Sequence, residues 1–491
     1  MMHQLLMGSS ASISQGLFLK FLGGIYFFAF LSLNRQVKGL YGSQGIASIR
    51  TYLDTIHRRY GKKLFVRLPT LFWFNTSDRC LVLVTWVGML GAAFVLAGII
   101  PALFLFVLWM CYLSFCQAGG VFLSYQWDAL LVEAGFLSIF FAIQSPPPLP
   151  FVYLLWFLLF RLMFSSALAK LLWGSQEWKN LTAMVHHYET QPLPTILGYY
   201  AHQQPLFFAK LSVIGVYFFE LVMPCLIFTP VPIRCAASLL LVFFQLLIMA
   251  TGNYAFLNLL TIALCLPLIP NLYLSHFEGL SWFIPLVSAN LVIGGLLSVF
   301  ALIFLLMNAL ELMAVFLRRR TMFNRLRPFY LYHLINPYGL FIHMTTVRDE
   351  IIVEGSDDGR EWKVYEFKWK PGNPFCAPRF AAPHQPRLDW QMWFAALGSY
   401  THNPWFSAFL SRLLEGSEDV LRLLKDNPFP RKPPKYVRSR LYRYHFTDRK
   451  IKKETGMWWS RVPVGEYSPT FSLVSNPALD DREAAPDGKS S

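Results

Sequence analysis

The stretch "FVYLLWFLLFRLMFSSALAKLLW", residues 151–173, decides the class of protein to which this chain belongs. Its apolar run is longer than the about 20 residues that an α-helix needs to cross the hydrocarbon core of a bilayer. Arg161 and Lys170 are the charged residues inside it. Ionisable side chains are costly at that depth and mark candidates for function. The stretch therefore predicts a transmembrane helix that carries two functional candidates.

Similar apolar runs recur through the first part of the chain. The predicted spans are 16–33, 80–100, 102–124, 132–144, 151–173, 209–229, 233–251, 254–270 and 284–317. The run 132–144 is short and meets "QSPPPLP", so a re-entrant segment is an alternative to a full crossing there. The chain is 55% hydrophobic, and its 14% of charged residues lies far below the about 25% of an average soluble domain. The sequence therefore predicts a polytopic α-helical membrane domain of about eight to nine spans.

A different pattern follows the last predicted span. The segment "EIIVEGSDDGREWKVYEFKWK", residues 350–370, has two runs around Asp358-Gly359, a pair that favours a tight hairpin turn, and the second run alternates between apolar and charged residues. Residues 404–425 have the pattern of a helix, and "YVRSRLYRYHF" at 436–446 returns to strand. We expect a water-facing α+β domain with a small antiparallel β-sheet or sandwich. The predicted division is a membrane domain at 1–317, this α+β domain at 318–474 and a disordered tail at 475–491.

Charge and cysteine content exclude several classes of function. The net charge of +15 comes from basic clusters at 35–79, 318–327 and 431–453, and bases beside spans usually contact lipid headgroups. No nucleic-acid recognition motif accompanies them, so no nucleic-acid partner is predicted. The seven cysteines are an odd number without CxxC spacing, which argues against a disulfide scaffold or a zinc site. No metal ion or other cofactor is therefore predicted.

Polar motifs interrupt the apolar runs at further places. They hold Asp128 and Glu133 in "YQWDALLVEAGF", Asn253 in "TGNYAFLNLL", and His186, His187, Tyr188 and Glu189 in "VHHYETQPLP". Counting crossings through the predicted spans places these motifs on the side of the membrane where the C-terminal domain emerges. The polar-aromatic stretch "APHQPRLDWQMWFAALG", residues 382–398, would then lie above them. We therefore predict one face on which the membrane motifs and the C-terminal domain share a site.

The charged residues of the membrane region allow two interpretations. Asp128 and Glu133 can pair with Arg161 or Lys170, because an unpaired charge at that depth is costly. Lys170 lies near the end of its span, from where its amine can reach the interface. The alternative is a desolvated lysine that acts as a base.

Long motifs of this sequence resemble those of one known family. The segments "YQWDALLVEAGFL", "LTAMVHHYETQPLPT", "TGNYAFLNLLT", "VEGSDDGREW" and "PHQPRLDWQMWFAALG" follow the order of the lipase maturation factor family, and the resemblance covers both predicted domains. It implies an integral protein of the endoplasmic reticulum membrane, or of the inner or plasma membrane in a bacterial host, with its C-terminal domain in the lumen or outside the cytoplasm. It also implies assistance to the folding and assembly of secreted homodimeric lipases rather than an enzyme activity.

In that interpretation the C-terminal domain holds a folding client, a lipase or another secreted protein. Unpaired subunits expose apolar surface and aggregate, and aromatic side chains are suited to cover such a surface. Packing in the domain core is the alternative role for tryptophans in the 382–398 stretch. The predicted client contacts are Trp390, Trp393, Trp405 and Phe406, with Arg387 and Asp389 orienting them.

A membrane enzyme is the rival hypothesis. Arg161, Lys170 and Trp178 are similar to a pattern in the membrane domain of vitamin K-dependent gamma-carboxylase, where a lysine at a comparable place is the catalytic base. That similarity implies Lys170 as the base. Substituting Lys170 by Met separates the two hypotheses, because it removes the amine and keeps the bulk. The candidates to assist Lys170 are His186, His187, Asp128 and Glu133, and the other polar residues of this membrane site are Arg161, Tyr188, Glu189 and Asn253.

Overall fold

The computed structural model describes residues 12–61, 67–274, 290–317 and 320–473. Two shorter apolar helices, Gln126–Phe141 and Leu257–Leu268, lie where the spans 132–144 and 254–270 were predicted. The polytopic helical fold is confirmed. The predicted tail 475–491 and the start of the predicted span 284–317 lie outside the described residues. Seven described helices are long and apolar enough to cross a membrane: Ile13–Asn34, Asp78–Ala97, Pro101–Ala118, Leu149–Trp173, Leu206–Phe228, Val231–Thr251 and Leu291–Phe316.

The long and short apolar helices alternate in direction, so their ends gather at two faces of the bundle. At one face Gln15 Nε2 donates to the carbonyls of Phe141 and Gln144 (2.6 and 2.9 Å). At the other face Gln36 Nε2 donates to the carbonyl of Gln385 (2.8 Å), a residue of the C-terminal region. We call this second face the domain face, because the C-terminal region packs on it.

Short helices and turns connect or follow the spans. The span Leu206–Phe228 contains a π-helical turn at Phe218–Val222. Such turns are rare and frequently occur at functional sites. Here the turn carries the buried Glu220. The short elements are Val37–Tyr41, Ile49–Tyr60, Leu71–Trp73, Gly120–Leu123, Gln176–Lys179, Ala183–Thr190, Ile196–His202, Asn271–Leu274 and Arg320–Leu331.

The C-terminal region forms a four-stranded antiparallel sheet flanked by helices. The predicted hairpin is confirmed, because Val353 pairs with Tyr365 across its two strands. Its turn is held by Asp358, whose Oδ1 accepts the N–H groups of Arg360 and Glu361 (2.8 and 2.9 Å). The strands, in the sheet order β2-β1-β3-β4, are β1 (Arg348–Ser356), β2 (Lys363–Tyr365), β3 (Tyr436–Phe446) and β4 (Trp459–Ser472).

The single helix predicted over 404–425 is wrong in its second half, because the helix ends at Leu414 and the chain turns at Gly416. Gly416 adopts a φ of 69°, and a Cβ atom there would lie 2.5 Å from Cγ of Pro433. Glycine ends a helix in this left-handed conformation without steric cost. The helices of the C-terminal region are Arg387–Ala396, Tyr400–His402, Pro404–Leu414, Glu418–Leu421 and Arg449–Thr455.

One hydrophobic core continues from the bundle into the C-terminal region. Phe122 of the bundle packs edge-on against Trp405, with ring centroids 5.2 Å apart. A smaller cluster joins Tyr199, beside the spans, to Phe446 and Trp459 of the sheet. Both halves therefore share a continuous core, and the candidate site lies between them.

Candidate functional site

The stretch 382–398 docks on the domain face through Arg387. Its guanidinium donates to both carboxylate oxygens of Asp128 (2.9 Å each) and to the carbonyl of Phe122 (2.6 Å). The Tyr112 hydroxyl donates to the same carboxylate (2.5 Å) and accepts from Arg387 Nη2 (3.2 Å). Arg387 and Asp128 are both buried. A bidentate, charge-assisted pair of this kind is strong and geometrically specific, so it fixes the C-terminal region on the bundle.

Asp389, on the same helix, is buried and turned to its own domain. Its Oδ1 accepts the N–H groups of Trp369 and Lys370 (2.9 Å each), just after β2. Burial raises the pKa of Asp389 to about 6, while these two hydrogen bonds act in the opposite direction. In this conformation Asp389 therefore positions a loop, and its role in orienting a client contact stays a prediction.

Asn253 joins two loops with one amide side chain. Its Nδ2 donates to the carbonyls of Leu193 and Arg379 (3.0 and 2.8 Å). Its Oδ1 accepts the N–H groups of Ala381 and Ala382 (2.6 and 3.1 Å). An asparagine side chain offers two donor hydrogens and two acceptor lone pairs, and all four are used here. The motif "TGNYAFLNLL" thus holds the C-terminal region in place.

The segment "VHHYETQPLP", which we call the histidine motif, makes the third link, to the ends of the two central strands. Glu189 Oε2 accepts the N–H of Phe446 at the end of β3 (2.7 Å). Arg348, at the start of β1, donates to the carbonyls of Glu189 and Gln191 (2.8 and 2.5 Å). Because the two strands run antiparallel, these contacts hold the same end of the sheet at the helix Ala183–Thr190.

We call this set of contacts the junction: Asp128, Asn253 and Glu189 on the bundle side, and Arg387 and Arg348 on the other. The membrane motifs and the C-terminal region meet on one face, as the crossing count predicted. The three motifs are far apart in sequence, and the junction makes them neighbours.

A cavity of about 290 Å³ lies in the junction. Segments from both halves of the chain build its wall, including the motif "YQWD", the histidine motif and the stretch 382–398. The lining residues are Ser124, Tyr125, Gln126, Trp127, His187, Thr190, Gln191, Pro192, Leu340, Phe341, His343, Met344, Thr345, Trp390, Trp393 and Phe394. None of the described residues that line the cavity is an aspartate, glutamate, lysine or arginine.

The polar groups of the cavity wall are largely matched to one another. The Tyr254 hydroxyl donates to Gln191 Oε1 (2.7 Å) and lies 3.0 Å from His187 Nε2. Burial and the nearby Lys170 lower the pKa of His187 to about 4, so this imidazole is neutral at neutral pH. The cavity therefore suits an uncharged, largely apolar group.

Two indole nitrogens at this cavity are exceptions. Within the described part of the chain, Nε1 of Trp127 and Nε1 of Trp390 have no hydrogen-bond partner. The two rings pack edge to face, with centroids 4.9 Å apart. A buried N–H without an acceptor is rare and costly.

The four predicted client contacts differ in exposure. Trp390 is 2% exposed, Trp405 is 8% exposed and Phe406 is fully buried, so these three pack in the core of this conformation. Trp393 is half-buried on the cavity wall, and its Nε1 donates to the carbonyl of Thr190 (2.8 Å). Phe394, which the sequence analysis overlooked, lines the same cavity and is 42% exposed. A client-binding role for the four predicted residues stays a prediction.

Arg161 is held inside the bundle by acidic and neutral partners. It pairs with Glu133, as predicted, and its Nη1 donates to the carbonyl of Asn336 (2.9 Å). Asn336 Nδ2 and the Tyr338 hydroxyl both donate to Glu133 (2.7 Å each). The pairing predicted for Asp128, with Arg161 or Lys170, is wrong, because Arg387 occupies its carboxylate.

Lys170 is buried and paired. Its Nζ donates to both carboxylate oxygens of Glu220 (2.9 and 2.6 Å), and the residue is 1% exposed. The interfacial position considered for its amine is therefore wrong. In this conformation its amine is therefore engaged in an ion pair with Glu220. The helper residues Asp128 and Glu133 are likewise engaged by arginines.

Metal chemistry finds no support in the described ranges. Over residues 12–61, 67–274, 290–317 and 320–473, no group of three or more His, Cys, Asp or Glu side chains is placed to hold a metal ion. His186 and Tyr188 are half-buried on the helix Ala183–Thr190. All seven cysteines are free in this structure.

These features define a class of protein: an integral membrane protein whose sheet domain is fastened to the helical bundle around a neutral cavity. A sequence model for the lipase maturation factor transmembrane domain matches residues 13–276, and one for the lipase maturation factor C-terminal domain matches residues 334–469. The chain belongs to the lipase maturation factor family.

Individual relatives cover nearly the whole chain. Lipase maturation factor 2 of Homo sapiens is 34% identical, over 96% of this chain and 84% of that protein. Lipase maturation factor 1 of Homo sapiens is 32% identical, over 95% of this chain and 90% of that protein. Lipase maturation factor 2 of Gallus gallus is 34% identical, over 96% and 83%. No solved structure matches the chain.

Proposed function

We propose that this chain is a membrane-embedded maturation factor that helps secreted homodimeric lipases, or another secreted client, to fold and assemble. Family membership supports the proposal, because relatives named for lipase maturation align with nearly all of the chain. In a eukaryotic host the protein acts in the endoplasmic reticulum membrane, with the domain face and the C-terminal region in the lumen. That is the compartment in which secreted lipases fold.

The observation that carries the proposal is the neutral, aromatic cavity at the domain face. A lipase subunit without its partner exposes apolar surface, and such intermediates aggregate. The cavity volume of about 290 Å³ lies just below the range of about 300–1,000 Å³ for ligand pockets. Burying one apolar side chain there contributes about 1.5–3 kcal/mol, which is less than the about 4.1 kcal/mol of a millimolar complex, so the client makes further contacts and can still be released. Trp393 and Phe394 are the proposed first contacts.

The same geometry favours a holding role over catalysis. The side chains proposed for chemistry, Lys170 with Asp128 and Glu133 as helpers, are all engaged in buried ion pairs. None of the three lines the cavity. The polar residues of the membrane region are therefore assigned to positioning, and the maturation activity to binding.

Filling the cavity tests this function. His343 lines the cavity and is exposed, so His343→Trp adds volume there without removing a core side chain. The variant is expressed with a secreted homodimeric lipase in cells that lack their own maturation factor. We expect secreted lipase activity per unit of lipase protein to fall at least fivefold while the variant accumulates normally.

His402→Trp is the matched control, because His402 is also exposed but does not line the cavity. It should support maturation as the unchanged chain does. Full lipase activity with His343→Trp would remove the cavity from the mechanism. Failure of the unchanged chain to restore any lipase activity would contradict the maturation role itself.

A further inference from the structure

A short basic helix, Arg449–Thr455, has no part in the junction or the cavity. Its sequence "RKIKKET" has four bases and one acid. Arg449, Lys450 and Lys453 are exposed. Asp448 caps the helix, because its Oδ1 accepts the N–H of Ile451 (2.7 Å). The helix therefore presents a compact positive surface.

The fourth base, Lys452, anchors this helix instead of joining the positive surface. Its ammonium lies 3.3 Å from the centroid of the Trp458 ring and 4.9 Å from that of the Tyr199 ring. It also donates to the Tyr200 hydroxyl (3.3 Å). Cation–π contacts of this kind hold a lysine in one place when the surrounding rings are themselves packed. The other bases are thus presented from a fixed position.

The helix lies beside the start of a membrane span. Gln203 Nε2 donates to the carbonyl of Thr447, the residue before the cap (3.2 Å). Gln203 itself lies three residues before Leu206, where the span Leu206–Phe228 begins. Phe207 and Phe208, in the first turn of that span, are 70% and 52% exposed. A span that crosses a bilayer begins near the membrane–water boundary, so the basic helix lies close to that boundary.

We propose that the exposed bases of the helix Arg449–Thr455 bind the headgroups of anionic phospholipids. Lys450 and Lys453 supply the charge, and Ile451, which is 41% exposed, can enter the boundary between headgroups and acyl chains. The continuity of this surface with the lipid-facing start of a span favours a lipid over a soluble partner. The lipid contact would hold this edge of the C-terminal region against the membrane, and it does not depend on the lipase role.

Lipid titration tests the proposal. The purified full-length chain in detergent is titrated with dioleoylphosphatidylglycerol or dioleoylphosphatidylcholine, and bound lipids are counted by native mass spectrometry. We expect the anionic lipid to bind more tightly than the neutral one. One base near an anionic lipid surface contributes roughly fivefold in affinity, so Lys450→Gln with Lys453→Gln should weaken phosphatidylglycerol binding by about 25-fold. Phosphatidylcholine binding should not change.

Lys432→Gln with Lys435→Gln is the matched control. Both lysines are exposed and directly precede β3, whereas the basic helix follows the other end of that strand. The control should change phosphatidylglycerol binding by less than about twofold, and Lys450→Arg with Lys453→Arg should retain it. Equal melting temperatures verify that the variants are folded.

Three outcomes overturn the proposal. The first is the absence of a preference for the anionic lipid in the unchanged chain. The second is an equal loss of binding in the test and control pairs, which would reflect net charge alone. The third is tighter binding of a poly-glutamate peptide than of phosphatidylglycerol to the same lysines, which would assign the surface to an acidic protein partner.

Discussion

Replacing Arg387 by methionine tests the central contact of the junction. Methionine keeps an unbranched apolar stem of similar reach and removes the guanidinium. Asp128 would then remain buried without the two hydrogen bonds of 2.9 Å, and the carbonyl of Phe122 would lose its donor at 2.6 Å. Removing one partner of a buried ion pair costs about 3–5 kcal/mol. We expect the free energy of opening the junction to fall by that amount.

Hydrogen–deuterium exchange measured by mass spectrometry on the purified protein reports this opening. The helix Arg387–Ala396 should exchange about two to three and a half orders of magnitude faster in the variant, since every 1.4 kcal/mol is tenfold in an equilibrium constant. Arg422→Met is the matched control. Arg422 is 70% exposed and pairs with surface carboxylates, so its loss should change stability by no more than about 0.5 kcal/mol.

A second substitution distinguishes the loss of the attraction between Arg387 and Asp128 from the cost of leaving the Asp128 carboxylate buried without a partner. In the double variant Arg387→Met with Asp128→Asn no carboxylate is left unpaired, so the double variant should be more stable than Arg387→Met alone. The reasoning is refuted if exchange in 387–396 rises no more than in the Arg422 control. It is also refuted if the double variant loses the sum of the two single effects.

Two further predictions concern His187 and Lys170. The pKa of about 4 in the folded protein lies below the 6.5 of an unperturbed histidine, so the unfolded state binds more protons between these values. The stability that neutral His187 contributes is therefore complete above pH 6.5 and is lost as the pH falls toward 4. The melting temperature of His187→Gln should therefore fall less than that of the unchanged chain between pH 6.5 and pH 4. Lys170→Met strands Glu220 and should lower the melting temperature, whereas Lys170→Met with Glu220→Gln should recover most of it. Normal lipase maturation by this double variant would exclude Lys170 as a catalytic base. Loss of lipase maturation while the double variant accumulates normally would favour the membrane-enzyme hypothesis.

The helical part of the fold could be predicted because the length of an apolar run alone determines whether it can cross a bilayer. The pairing of charges could be predicted only where both partners were recognised. Glu133 and Arg161 lie in neighbouring predicted spans, and their pairing is confirmed. Glu220 was overlooked although it is an acid within the predicted span 209–229, which is itself a signal for function.

The partner of Asp128 could not be derived from local patterns. Arg387 lies 259 residues further along the chain, in a segment whose polar composition predicted a surface role. Burial of that segment is a consequence of docking, which no periodicity within the segment encodes. The same reason explains why Trp405 and Phe406 were predicted as contacts: exposed aromatic platforms and interdomain core residues have the same composition.

Docking also decides whether the cavity exists. Its wall takes Tyr125 and Trp127 from the bundle and Trp390 and Trp393 from the C-terminal region, so it forms only when the two halves are in register. A buried ion pair adds little net stability compared with apolar residues. Any other docked arrangement of the two halves would leave its two charges buried without partners, which is strongly destabilising. The pair of Arg387 with Asp128 therefore specifies one docked arrangement.

This dependence has a testable consequence for lipase maturation. Arg387→Met should lose maturation together with the exchange protection of residues 387–396, whereas His343→Trp should lose maturation with that protection intact. The two variants thus distinguish an absent cavity from a filled one. If Arg387→Met opened the junction and still matured lipase, the cavity would not be the place where the client is held, and the search would move to the exposed surface of the sheet domain.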